Sequence, residues 1–171
     1  MRRITWLLVA ATISIWLRPS EAAQPTMVTG GGTGTFYADL DGDGEIDGSH
    51  FGFGVVKNPG GSIVGHFMCQ MAGNKDFLGL NLMLVDGRVS SAFFTPASVT
   101  FSGTGSVNLA NGTVFRGVPF TVTVSAGGPG VGTMQLTVIG AFDGVPGDTI
   151  GGDGNYSLPV ETVETGLISI N

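Results

Sequence analysis

Within Val114–Ser125 the chain alternates, with Phe120, Val122 and Val124 on one side and Thr121, Thr123 and Ser125 on the other. A period of two fits an extended strand with one buried face and one wet face, and does not fit a helix. Similar runs recur along the sequence, separated by turn residues. Phe51, Phe53 and Val55 share one side of Ser49–Val56, and Met134, Leu136 and Val138 share one side of a later run. Glycine supplies much of the punctuation, at 30 of 171 residues, without the three-residue period of collagen. Such spacing is how an antiparallel β protein marks its turns.

Walked from the start, the runs predict strands over Val28–Ala38, Ser49–Val56 and Ser62–Met71, with a turn at Asn58-Pro59-Gly60-Gly61. Leu80–Val85 then meets Asp86-Gly87, a two-residue hairpin signal, before Arg88–Phe94. Val99–Leu109 follows a break at Pro96, and Asn111-Gly112 repeats the hairpin signal before Val114–Ser125. Asp143–Gly154 is the longest irregular stretch, and Tyr156–Ile170 closes the chain. No helix is expected in the mature protein. The fold class is therefore all-β: an antiparallel meander of about eight or nine strands forming a sandwich or a closed barrel. A membrane barrel would alternate in the same way. It would also need aromatic girdles, and both tryptophans, Trp6 and Trp16, fall in the leader.

The leader is residues 1–22. Arg2 and Arg3 precede an apolar run, Ile4–Leu17, that is too short to span a bilayer comfortably, and Ser20-Glu21-Ala22 offers small residues to a signal peptidase. A single domain, 23–171, remains, and the expected location is secreted, either periplasmic or extracellular. The leader removed, four basic residues face twelve acidic ones, a net charge of −8. That balance disfavours nucleic acid and anionic membranes and favours cations.

Five of the twelve acids crowd into Asp39-Leu40-Asp41-Gly42-Asp43-Gly44-Glu45-Ile46-Asp47. The spacing D-x-D-x-D-G-x-x-D aims alternate oxygens at one centre while a glycine lets the chain turn, which suits calcium, a hard cation taking six to eight oxygens. Asp39, Asp41, Asp43, Glu45 (through its carbonyl) and Asp47 are the candidate metal ligands. The twelfth position, where a bidentate carboxylate is expected, is His50, a poor calcium ligand. Asp148 or Asp153 could supply the missing oxygen, and with Asp143 they could form a second ion site or simply a surface loop.

Other chemistry is sparse. Cys69 is the sole cysteine and reads as a small buried hydrophobe. His66 and Cys69 point to opposite faces of a strand, which argues against zinc. The G-x-S-x-G elbow is absent, Glu161 and Glu164 look like a polar edge, and no catalytic residue is assigned. Asn111-Gly112-Thr113 and Asn155-Tyr156-Ser157 fit the glycosylation pattern, which matters only in a eukaryotic host.

Several segments together resemble one known family. Val28-Thr29-Gly30-Gly31-Gly32, Phe51-Gly52-Phe53, Phe101–Asn108 and Phe120–Val124, followed by Gly127-Gly128-Pro129-Gly130, are similar in kind and order to the post-COAP domain of secreted bacterial proteins. The resemblance implies a small β domain without established catalytic residues. Ala126 stands where the family usually has an aspartate, and the acidic loop reads as an insertion between the first two strands. The functional expectation is a non-enzymatic domain with a calcium loop, a structural or interaction module of the cell exterior with an unknown extracellular partner. The alternative is a carrier whose apolar cavity is lined by Phe51, Phe53, Leu82, Phe101, Phe120 and Val122.

Overall fold

The computed structural model describes residues 26–39, 44, 47–72, 79–80 and 82–171. The segment expected to be a leader, 1–22, lies outside them. Among the described residues there are nine strands: β1 (Thr26–Thr35), β2 (Gly48–Lys57), β3 (Ile63–Ala72), β4 (Leu84–Phe94), β5 (Ser98–Asn108), β6 (Val114–Ser125), β7 (Thr133–Ile139), β8 (Asn155–Ser157) and β9 (Glu161–Ile170). Every strand pairing is antiparallel. Strands β1 to β6 form a meander, each beside its neighbour in sequence. Among the described residues no helix is long and apolar enough to cross a membrane.

The ends of the meander meet, and the sheet closes in a ring. β9 lies against β1 over Val28–Thr35 and touches β7 at Thr133 and Met134, while β7 pairs with β6. β8 extends the pairing at the other half of β7. The loop between β6 and β7 completes the seam. Gly127 and Ile168 exchange backbone hydrogen bonds of 3.0 and 2.9 Å, and the Val163 N–H donates to the Gly132 carbonyl at 2.8 Å. The glycine-rich 127–130 motif thus covers β9 where no strand does.

Alternation decides which side chains fill the ring. Phe53, Phe67, Phe101 and Phe120 all point inward, with ring centroids 5.3–6.5 Å apart between neighbours. The outer face is wet, as the threonine spacing requires: the hydroxyls of Ser102 and Thr121 lie 2.8 Å apart and those of Thr100 and Thr123 3.1 Å apart.

Asp86-Gly87 is not a hairpin. Both residues lie inside β4, and the strand begins at Leu84, not Leu80. Gly87 serves packing instead: a Cβ there would come within 2.6 Å of the Phe120 ring and 2.7 Å of the Gly105 Cα. Asn111-Gly112 is the turn its residues suggest. Gly112 takes φ +87 and donates to the Leu109 carbonyl at 3.0 Å. The closing run Tyr156–Ile170 is two strands, because Leu158-Pro159-Val160 breaks the ladder between β8 and β9.

Candidate functional site

Ring closure places the β1–β2, β3–β4, β5–β6 and β7–β8 connections at one end of the molecule. The acidic segment is the first of these. Its base is pinned: the Phe36 N–H donates to the Asp47 carbonyl at 2.8 Å, one step beyond the Thr35–Gly48 pair. Within it the Asp39 carboxylate accepts a 2.9 Å hydrogen bond from the Gly44 N–H, and Gly44 takes φ +97, a conformation that favours glycine. The first and sixth positions of the motif are thereby folded onto each other. Asp47, the ninth, is 2% exposed. Asp41, Asp43 and Glu45 lie outside the described residues. His50 points outward from β2 and is exposed, on the face opposite Asp47 and Ser49.

The two aspartates considered as a source of the missing ligand are engaged in their own loop. Asp148 accepts from the N–H groups of Gly144, Ile150 and Ser157 at 3.0–3.1 Å. The Gly144 contact is the main reason its carboxyl is held below the ordinary value. Asp153 accepts from the Asn155 N–H at 2.8 Å, and Asp143 accepts from Gly152 and Gly154 at 2.7 and 3.0 Å. These three carboxylates act as internal caps that give an otherwise irregular stretch its shape. Among the described residues no group of three or more His, Cys, Asp or Glu side chains is arranged to hold a metal.

Beneath the acidic end lies a polar cluster that the sequence did not reveal. Glu161, the first residue of β9, points into the ring and is 1% exposed. Its Oε2 accepts a 2.6 Å hydrogen bond from the Ser49 hydroxyl of β2. Its Oε1 is buried without a hydrogen-bond partner among the described residues. Gly34 of β1 makes room for it: a Cβ at that position would collide with the carboxylate. Burial pushes the Glu161 carboxyl up to about 7, against the opposing pull of hydrogen bonds from the Ser49 hydroxyl and backbone. Cys69 of β3 faces the same interior. Burial raises its thiol well above the ordinary value, and the nearby Glu161 charge raises it further. Cys69 is therefore a neutral thiol, as the hydrophobic reading expects, and not an activated nucleophile.

Glu161 belongs to the interior and not to a polar edge. Its parity with Val163 was the available signal, since both residues fall on the inward side of β9. What parity could not supply was the neighbour across the ring, because Ser49 is 112 residues away in sequence.

No protein family, curated protein or solved structure matches this chain.

Proposed function

We propose that this chain is an exported, non-enzymatic β domain of the post-COAP-like kind, and that its acidic connection takes up a calcium ion. In this reading the domain is a structural or interaction module of the cell exterior. The observation that carries it is the closure of the segment about its own centre: the Gly44 N–H reaches the Asp39 carboxylate at 2.9 Å, with Gly44 in the left-handed region. A calcium loop requires alternate acids about a sharp glycine turn, and the D-x-D-x-D-G spacing supplies both. The pinned base at Phe36 and Asp47 reduces the ordering cost of binding. Asp39, Asp41, Asp43 and Asp47 would supply carboxylates and Glu45 its carbonyl. With His50 turned away, water would complete the shell and affinity would be weak.

The carrier reading has less support. Three of the six residues it requires pack against one another, with Phe51 and Phe53 centroids 6.0 Å apart and Phe53 and Phe101 centroids 5.4 Å apart, and Phe120 packs on Phe67 at 5.3 Å. An enzyme reading gains nothing from the inner cluster, because Ser49 and Cys69 are fully buried and Glu161 nearly so. The acidic balance argues against nucleic acid as a partner, and the inward apolar face argues against membrane insertion of the ring.

The test is thermal unfolding in calcium and in chelator at equal ionic strength. Calcium at a hundredfold excess over its dissociation constant adds about 2.7 kcal/mol, so the melting temperature rises in calcium. Asp39→Asn and Asp43→Asn diminish that rise. Identical melting curves with and without the ion would remove the proposal.

A further inference from the structure

A groove of about 700 Å³ runs over the outer face of β2, β3 and β4, lined by Gly54, Val56, Ile63, Val64, His66 and Arg88 among others. Its volume is in the range of small-molecule sites. Its walls are apolar, and Val64 is 64% exposed. Three strands build it in register. Gly54 pairs with His66, and His66 with Arg88, so bare backbone, imidazole and guanidinium follow one another across the sheet. One row further along, Val56 pairs with Val64.

The charge of this groove is opposite to that of the molecule. The mature chain has only four basic residues against twelve acidic ones. Arg88 lines the groove, and Lys57 stands in register with Ile63 of its wall. Among the described residues Arg88 has no acidic partner within ion-pair distance, whereas Asp86 lies 3.2 Å from His66. A planar guanidinium left open to solvent beside apolar walls matches a carboxylate carried on an apolar body. Asp86, two residues from Arg88 on the same outer face, disfavours a multiply charged anion such as a phosphate dianion.

Gly54 forms part of the floor. A Cβ there would meet nothing nearer than the Thr29 methyl at 4.0 Å, and φ is not positive, so neither packing nor backbone conformation calls for glycine. Glycine in a strand interior often marks a bulge, a tight bend, or a place where a ligand or another backbone approaches closely, and the unbroken β2–β3 register at Gly54 leaves the last of these. From the groove, its isolated cation and its apolar walls together, we propose that this face binds a small amphipathic monocarboxylate, with the carboxylate on Arg88 and the apolar body over Gly54, Val56 and Val64.

The probe is naphthalene-2-carboxylate, titrated into the full mature chain and followed through backbone amide resonances. Saturable shifts are expected at Gly54, Val64, His66 and Arg88. The neutral analogue naphthalene-2-methanol binds about tenfold more weakly or worse, as does the Arg88→Met variant, since each removes the charge-assisted pair. Val64→Asp, an exposed substitution that leaves the core intact, repels the carboxylate and weakens binding similarly. Gly54→Val raises the floor and blocks the naphthalene ring. No shift at these amides would overturn the proposal, as would equal binding of acid and alcohol, or unchanged affinity in both Arg88→Met and Val64→Asp. Sedimentation of the free chain supplies a further check. A dimer dissolved by Gly54→Val would assign the face to a second copy and overturn the ligand.

Discussion

Glu161 is the residue whose environment has the clearest measurable consequence. An ordinary glutamate ionises near 4.5, whereas this one is raised to about 7 by burial. The folded state therefore holds a proton that the unfolded state has already released. Stability from this group is complete below about pH 4.5 and falls as pH rises through about 7. The loss amounts to about 3 kcal/mol, from 1.36 kcal/mol per unit of displacement. Denaturant midpoints measured between pH 5 and pH 8, a range set by that displacement, should decline in the wild type. The decline should flatten in Glu161→Gln, and an equal slope in both proteins would show that another group carries it. Gly87 offers a second test. Gly87→Val drives two methyl groups against Phe120 and Gly105, and overpacking of this kind costs typically 1–3 kcal/mol. Gly54→Val in β2 meets open space and should leave the midpoint unchanged or raise it.

Among the elements, the connection between β7 and β8 is held less by apolar contact than by its three aspartates. Asp148 alone accepts three backbone N–H groups, so replacing it leaves three donors to find water. Its carboxyl is depressed, so the sign is opposite to that of Glu161: its contribution is present above the ordinary carboxylate range and is lost as pH falls through the lowered value. Protection of the Gly144, Ile150 and Ser157 amides, measured as exchange relative to the unstructured rate at the same pH, should fall in acid. Asp148→Ala should show the same loss of protection at neutral pH, with protection in β1–β6 unaltered. Fast exchange at these amides in the neutral wild type would contradict the capping role. Phe142, at φ +63 in the same connection, packs edge-on to Phe115 at 5.2 Å and supplies the loop's main apolar anchor.

At the scale of the molecule, two features follow from closure. The first is the scarcity of free strand edges. β9 seals what would be the exposed sides of β1 and of the start of β7, and the 127–132 loop covers β9 in turn. Deleting residues 161–171 reopens both edges. Light scattering should then report oligomers or aggregates in place of the species formed by the intact chain. The second is polarity of charge. The described residues of the four connections at one end include Asp39, Asp47, Asp143, Asp148 and Asp153, and no lysine or arginine. Screening should relieve that repulsion, so sodium chloride should raise the melting temperature modestly. Calcium at the same ionic strength should raise it further if the acidic connection binds the ion specifically.

Local alternation and turn residues determined the strands, because a period of two and an Asn-Gly pair express their preferences within a few residues. β6 matches its reading at both ends, and the meander follows from short connections. The acidic motif was equally legible, since its spacing is its content. Asp86-Gly87 misled because glycine has two uses, and only the arrival of the Phe120 ring from β6 decides between a turn and a close contact. The same limit hid the Ser49–Glu161 pair and the groove beside Arg88. Closure of the ring brings β9 beside β1, and antiparallel neighbours in register bring His66 beside Arg88. Those encounters depend on contacts between residues far apart in the chain, where no local preference reaches.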